Sequence, residues 1–302
     1  MACLIGRRVV NPHYKKIAPY SHYKLYNDRD GINPKPDYYI NVDCGRCINC
    51  FRKYMSAWRF RLIHELTSLS KAERQKTYFV TLTIENKFYT EKKSNLKIMV
   101  RRFLERVRKK YGKSVRHFLV TERGDTTNRL HFHGFFINTD VPPNDFYNLW
   151  YYGFVKIAGV DADPNRPLSQ RISYCTSYAT KGKKGVISNV IPPENWPLVL
   201  VSAGLGKQYV EPNRHIHTNQ SVLFPLAFDV TGKVRSLPRY LRQKVFDEQQ
   251  LKSLKDDYFA NQSEDVIPDP PYFIGNKQYD DYTVYLRDCE LIKLEYQTIY
   301  GK

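Results

Sequence analysis

Long apolar runs are absent from this sequence of 302 residues. No stretch approaches the roughly 20 consecutive apolar residues that a membrane-spanning helix needs. The first residues also lack the apolar segment of a signal peptide. We therefore expect a cytosolic protein that has no membrane partner.

Acidic residues are scarce beside basic ones. The chain has 30 Asp and Glu against 48 Lys and Arg, which gives a net charge of +18 and a pI near 9.5. A strongly basic chain favours a polyanionic partner, because neutralised phosphates release counterions. Nucleic acid is the first such partner to consider. An aromatic content of 14% adds rings on which unpaired bases can stack.

Cysteines are also few. Six of them in a cytosolic chain argue against a disulfide framework and point to thiols or metal ligation. Cys44, Cys47 and Cys50 follow a close spacing that lets three thiolates converge on one ion. Cys3 is the candidate fourth ligand of a structural Zn²⁺ site. The alternative is a reduced cysteine turn whose thiols pack without metal.

Residues 130–136 read Leu-His-Phe-His-Gly-Phe-Phe and predict a β-strand. Side chains alternate between faces along a strand, so His131 and His133 point the same way. Residues 117–122 predict the preceding strand of a hairpin, which brings Glu122 beside both histidines. Two imidazoles and a carboxylate suit a divalent ion such as Mg²⁺ or Mn²⁺. The alternative is a pair of half-exposed histidines that contact neighbours across a sheet.

Residues 173–181 predict a helix that carries Tyr174, Tyr178 and Lys181 on one face, at positions i, i+4 and i+7. The opposite face is apolar and can pack on a core. A phenol becomes a useful nucleophile where a nearby cation or metal favours the phenolate. The alternative is an ordinary amphipathic helix in a chain that has 24 tyrosines.

These segments together resemble the motifs of the HUH endonucleases in order and spacing. Residues 130–134 resemble the histidine-hydrophobe-histidine motif, and residues 174–181 resemble the tyrosine motif in its two-tyrosine form. Residues 79–83 resemble the strand motif that precedes both. The cysteine cluster, followed by a helix that contains Trp58, is similar to the replication initiators of microviruses, particularly the gokushovirus-like phages. The likeness extends from about residue 3 to residue 246.

The resemblance implies a metal-dependent enzyme that nicks single-stranded DNA at a phage replication origin and rejoins the ends. The two histidines and Glu122 would hold the catalytic Mg²⁺ or Mn²⁺ against the scissile phosphate. Tyr178, with Tyr174 nearly equal, would attack phosphorus and form a 5′-phosphotyrosine. Lys181 would favour the phenolate or steady the phosphate. The free 3′-hydroxyl would prime the host polymerase.

The same resemblance implies a viral protein that works in the cytoplasm of a host bacterium, with the host polymerase and helicase as candidate partners. A rival interpretation from another class is a non-catalytic, basic DNA-binding or packaging protein with a structural zinc site. It accounts for the charge, the aromatic residues and the cysteines, but it leaves the histidine pair and the tyrosine helix unexplained. A further alternative is a transposase or plasmid relaxase of the same superfamily.

A second basic feature is the helix predicted over residues 96–111. Its outer face carries the candidate DNA-binding residues Arg101, Arg102, Arg106, Lys109 and Lys110. Glu105 is nearly the only acid that offsets them, which favours a surface that follows a phosphate backbone. The alternative is a charged face that is merely solvated.

Helices that alternate with hairpin-connected strands predict an α+β domain built on an antiparallel sheet, with helices on one face. The HUH resemblance implies five strands and a metal site on the open face. We divide the chain into an N-terminal arm with the cysteine cluster (1–50), an endonuclease core (51–184) and a C-terminal extension (185–302). The tail of that extension is acidic and aromatic from about residue 247.

His215 and His217 form a second His-x-His pair. They lie among proline, asparagine and arginine rather than in an alternating apolar segment. No tyrosine helix follows them at a comparable distance. We therefore predict a surface loop for this pair, and the alternative is a contact with DNA.

Overall fold

The structure is a computed structural model, and it describes residues 7–10, 39–43, 45, 48–124, 127–177, 196–218, 223–228, 234–260, 272–274 and 277–279. Five of the predicted site residues lie outside these ranges, namely Cys3, Cys44, Cys47, Tyr178 and Lys181. Their roles stay predictions, and so do the domain boundaries.

The described strands are β1 (Arg7–Val10), β2 (Tyr39–Val42), β3 (Tyr78–Leu82), β4 (Arg116–Arg123), β5 (Leu130–Ile137), β6 (Val155–Gly159), β7 (Val199–Val201), β8 (Leu226–Phe228), β9 (Val234–Ser236), β10 (Tyr272–Ile274) and β11 (Lys277–Tyr279). The described α-helices are α1 (Ile48–Thr67), α2 (Lys71–Gln75), α3 (Lys93–Tyr111), α4 (Pro143–Leu149), α5 (Leu168–Ser177), α6 (Val210–Thr218), α7 (Arg239–Val245) and α8 (Glu248–Ala260). Within the ranges given above, no helix combines the length and the apolar character that a membrane span requires.

A five-stranded antiparallel sheet lies at the centre, in the order β6-β3-β5-β4-β7. The described residues also form three two-stranded antiparallel sheets, β1 with β2, β8 with β9, and β10 with β11. The predicted α+β class with a five-stranded antiparallel sheet is therefore confirmed. The histidine strand β5 occupies the middle of the sheet, where a strand on each side holds it in place.

The register of the β4–β5 hairpin requires a glycine at position 134. In this hairpin Leu119 pairs with Gly134. A Cβ atom at Gly134 would lie 1.8 Å from the carbonyl oxygen of Phe118. Only glycine allows the two backbones to approach so closely.

Helix α3 illustrates how the sequence forms the elements around the sheet. Leu96, Met99, Phe103 and Val107 recur at helical spacing and are all buried. Gly112 ends the helix in the left-handed conformation, with φ +72°, and its N–H donates to the carbonyl of Arg108 at 2.8 Å. The predicted helix over residues 96–111 is thus present, and it begins at Lys93.

One face of the sheet packs against α3 and α4. Leu119 and Phe136 on this face share an apolar cluster with Phe103 of α3 and with Phe146 and Trp150 at α4. All five side chains are fully buried. This cluster forms the larger core of the molecule.

The opposite face packs against α1 and α5. Phe118, Val120 and Phe135 contact Leu66 of α1 and Ile172 of α5 in a second cluster. We expected helices on one face, and the structure instead places them on both. The reason is that the central strands carry large apolar residues at both even and odd positions, so each face must be buried.

The C-terminal helices form a third cluster. Tyr209, Leu241 and Val245 pack there against Phe60 of α1. His217 lies in α6 and is fully buried, so the prediction of a surface loop for the second histidine pair was wrong. Residues 215–217 form part of a helix rather than a loop, and His217 lies on the side of α6 that faces the core.

Candidate metal centre

The candidate centre lies on the α1 and α5 face of the sheet, where the apolar side chains give way to polar ones. The hairpin register pairs Glu122 with His131 and Val120 with His133. Thr81 of β3 pairs with His133 from the other side. Paired residues share a face, so these polar side chains point the same way.

Three ligand atoms converge here. Glu122, His131 and His133 each offer one ligand atom, and these atoms lie within 4.8 Å of one another. The Nε2 atoms of the two histidines are 2.8 Å apart. The Oε2 atom of Glu122 lies 3.1 Å from Nε2 of His133 and 3.9 Å from Nε2 of His131. We call Glu122, His131 and His133 the triad.

The Nδ1 atoms of the two triad histidines contact supporting groups that can accept a hydrogen bond from them. Nδ1 of His131 lies 3.2 Å from the carbonyl oxygen of Arg129, which can only accept a hydrogen bond. Nδ1 of His133 lies 2.9 Å from Oγ1 of Thr81. If both Nδ1 atoms carry the proton, both Nε2 atoms present lone pairs toward the carboxylate. Three acceptors then face one another, and a cation between them satisfies all three, so the donor set fits a divalent metal.

The three side chains of the triad are mostly buried. The side chains of Glu122, His133 and His131 are 9%, 10% and 17% exposed. The centre is therefore largely shielded from water. Beneath it, burial raises the pKa of the Cys175 thiol, and the charge of Glu122 raises it further. Cys175 is thus a neutral core residue of α5 rather than a ligand.

Tyr174 reaches the triad from α5. Its hydroxyl oxygen lies 3.5 Å from Nε2 of His133. The two rings meet edge to face, with centroids 5.2 Å apart. Phe79 supports both, because its ring stacks on His133 at 6.0 Å and meets Tyr174 at 6.2 Å. The buried residues of α5 fix the helix, so the phenol is held beside the triad.

Residues 77–183 match the family model described as Replication-associated protein ORF2. The match includes β3, the β4–β5 hairpin and α5, so it contains the triad and Tyr174. No curated protein and no solved structure matches the chain. The match supports a role in DNA replication and therefore an interaction with DNA.

The basic helix α3 lies on the other face of the sheet. Arg106 donates through Nε to the carbonyl of Leu149 at 2.9 Å, and its guanidinium lies 4.2 Å from the centre of the Tyr151 ring. Lys110 forms an ion pair with Asp145. These two side chains therefore have structural contacts of their own.

The other candidates on α3, Arg101, Arg102 and Lys109, are exposed. Of these, Arg101 lies 3.4 Å from Glu105. DNA binding by this helix stays a prediction. The zinc site also stays one, since Cys50 is the single predicted zinc ligand that the structure describes, and it is buried at the start of α1.

Sequence reasoning missed two residues on the triad face, Phe154 and Lys156. Lys156 of β6 pairs with Thr81, which in turn pairs with His133. Side chains alternate between the two faces of the sheet along β6, but this alternation does not show which face Lys156 shares. Only the pairing of β6 with β3 shows that this face is the one that carries the triad.

Proposed function

We propose that the chain is a replication initiator that nicks single-stranded DNA through a metal-dependent tyrosine nucleophile. The observation that carries this proposal is the position of the Tyr174 hydroxyl, 3.5 Å from a nitrogen of the triad. A site for a divalent ion and a nucleophile thus lie within reach of the same phosphate. The match to a replication-associated family over residues 77–183 supports the same conclusion.

The triad would hold Mg²⁺ or Mn²⁺ through one oxygen of Glu122 and the Nε2 atoms of His131 and His133. Bound there, the ion would supply Lewis-acid polarisation of the scissile phosphate. Thr81 and the carbonyl of Arg129 orient the two imidazoles through their Nδ1 atoms. Such supporting contacts keep the ligand atoms in place before the substrate arrives.

Tyr174 carries the covalent step. Its hydroxyl oxygen forms a bond to phosphorus, and the bond from phosphorus to the 3′-oxygen breaks. The phenol proton passes to solvent, and the 3′-oxygen takes up a proton to become a hydroxyl. The product is a 5′-phosphotyrosine that conserves the energy of the phosphodiester, so a later 3′-hydroxyl can reverse the step and reseal a strand.

Tyr178 follows Tyr174 at the i+4 position and would supply a second nucleophile, so that one tyrosine holds an end while the other cleaves. Sequence reasoning ranked Tyr178 slightly ahead of Tyr174. We propose Tyr174 for the first attack because its hydroxyl lies beside the triad, whereas Tyr178 lies outside the described residues. Lys181 would steady the phosphate as a point charge. The free 3′-hydroxyl would prime a host polymerase and so begin rolling-circle replication of a viral genome.

The decisive experiment uses a labelled single-stranded circle that carries a microvirus replication origin. The chain is incubated with it in Mn²⁺ or Mg²⁺, and the products are resolved on a denaturing gel. We expect a protein-linked DNA band that Tyr174→Phe weakens strongly and that the double change of Tyr174 and Tyr178 to Phe abolishes. Tyr147→Phe is the matched control, because Tyr147 is exposed on α4 at the opposite face.

Two results would contradict the proposal. If the circle is bound but never linked to protein in either metal, the non-catalytic DNA-binding interpretation replaces it. If the linked band persists in the double variant, the nucleophile lies elsewhere in the chain.

A further inference from the structure

The edge strand β6 extends the triad face by one row. Lys156, Thr81 and His133 are paired in sequence across β6, β3 and β5. Neighbouring strands lie about 4.8 Å apart, so the backbone of Lys156 is roughly 10 Å from that of His133. A lysine side chain can cover much of this distance. The Lys156 side chain is exposed.

Phe154 continues the same face immediately before β6. Its N–H donates to Oγ1 of Thr83 at 2.8 Å, and its carbonyl accepts from the N–H of Thr83 at 2.8 Å. Phe154 lies two residues before Lys156 and therefore points to the same side of the sheet. Its ring is 79% exposed, more than any other large apolar side chain among the described residues.

The backbone at Phe154 is held firmly despite this exposure. A Cβ atom at Gly153 would lie 2.4 Å from the carbonyl oxygen of Thr83, so the chain passes in tight contact with β3. The same carbonyl accepts a hydrogen bond from Nε1 of Trp150 at 2.9 Å. A ring on so fixed a backbone is presented to solvent at a defined place, beside the triad.

The charge around Lys156 favours an anionic occupant. Among the residues that the structure describes, no carboxylate pairs with Lys156. The two acids that follow β6 are already engaged, Asp161 with Arg74 and Asp163 with Arg166. Glu122, the acid on this face of the central strands, belongs to the triad.

We propose that Phe154 and Lys156 form a subsite for single-stranded DNA beside the scissile phosphate. Phe154 stacks on an unpaired base, and Lys156 contacts a backbone phosphate of a neighbouring nucleotide. An aromatic ring and a cation next to one another are the two elements that bind an unpaired strand without regard to its sequence. The choice of DNA as occupant rests on the proposed function.

The test measures binding without cleavage. An end-labelled oligodeoxythymidine of about 20 nucleotides is titrated with the full chain in a metal chelator, and fluorescence anisotropy reports the Kd. We expect Phe154→Ala to weaken binding roughly tenfold, because stacking of a base on an aromatic ring contributes an effect of that order. Phe154→Trp should restore binding, since it replaces one stacking surface with another.

The salt dependence separates the two residues. The logarithm of the binding constant falls linearly with the logarithm of the salt concentration. Lys156→Ala should make this negative slope shallower by about 0.7, the value for one phosphate contact on a single strand. Phe154→Ala should leave that slope unchanged. Matched controls are Phe228→Ala, at a ring that is 59% exposed on β8, and Lys252→Ala on α8. Circular dichroism melts verify that each variant is folded.

The subsite is overturned if the wild-type chain does not bind the oligonucleotide, or if Phe154→Ala binds as tightly as Phe228→Ala. The covalent assay is read separately. A chain that never forms a protein-linked product but loses affinity on Phe154→Ala would refute the proposed function and leave the subsite standing. If the chain instead forms the protein-linked product normally but Phe154→Ala does not weaken oligonucleotide binding, the proposed function stands and the subsite is refuted.

Discussion

The two His-x-His pairs of this protein have the same spacing and opposite structural roles. His131 and His133 lie on the strand β5, and their Nε2 atoms are 2.8 Å apart. His215 and His217 lie on the helix α6, where His215 is exposed and His217 is fully buried. Two residues along a strand return to the same face, whereas two residues along a helix turn by about 200°. The secondary structure therefore decides whether the pattern can hold a metal.

The hydrogen bonds of the second pair complete the contrast. Nε2 of His217 lies 2.9 Å from the hydroxyl of Tyr209, and Nδ1 lies 2.7 Å from the carbonyl of Phe224. Both ring nitrogens of His217 are thus engaged within the core. In the triad the Nδ1 atoms contact supporting groups of the sheet, whereas the Nε2 atoms are directed at Glu122.

The largest expected effect comes from breaking the first pair. His131→Ala should lower metal-dependent cleavage by about a thousandfold or more, because polarisation of the phosphate depends on the ligand set. Binding of single-stranded DNA in a chelator should be largely retained. His215→Ala, the matched change in the second pair, should leave cleavage unchanged. Cleavage by His131→Ala at the wild-type rate would remove the metal assignment.

Breaking the second pair should affect stability instead. His217→Ala removes a buried side chain and leaves the Tyr209 hydroxyl and the Phe224 carbonyl without their partner, so we expect the free energy of unfolding to fall by about 2 kcal/mol. Urea denaturation monitored by circular dichroism measures this loss. His215→Ala on the exposed side of α6 should change stability by less than about 0.5 kcal/mol. Equal losses for the two variants would contradict the helical placement.

A subtler change tests the orientation of the triad. Thr81→Val removes the oxygen that lies 2.9 Å from Nδ1 of His133. Loss of such a supporting contact typically lowers metal affinity by about 10–100-fold. The Mn²⁺ concentration required for half-maximal cleavage should rise accordingly. Thr218→Val, beside His217 on α6, is the control, and a shift of the same size there would indicate a non-specific effect.

The smallest expected effect concerns pH. Burial lowers the pKa of His64, whose ring packs between Phe60 and Tyr209 next to the second pair. The unfolded chain then binds a proton at a higher pH than the folded chain. Stability should therefore be full above the unfolded pKa of about 6.5 and decline as the pH falls below it. Denaturation midpoints at several pH values should show a shallower decline for His64→Gln, and an unchanged decline would contradict this origin.

Much of the triad could be predicted from the sequence because it depends on local rules. Alternation along residues 130–136 places both histidines on one face, and a short connection to the preceding strand brings Glu122 beside them. The structure contains this hairpin with Glu122 opposite His131.

Predictions that depended on long-range packing were less successful. The helices were expected on one face, and they occupy both because both sets of alternating residues in the central strands are apolar. The partners of His217 could not be foreseen, since Tyr209 and Phe224 reach it only after α6 packs on the C-terminal cluster.

The sequence by itself determined the residues that share a face, because the period of a strand or helix is a property of the backbone. It therefore identified Glu122, His131 and His133 as a set and Tyr174 as a residue of a helix with one apolar side. Only the tertiary structure decided the distance between these groups. The packing of α5 on the sheet brings the Tyr174 hydroxyl to 3.5 Å from His133, and the pairing of β6 with β3 places Phe154 and Lys156 on the triad face. Contacts between segments far apart in the chain depend on how the core closes, and no local pattern encodes them.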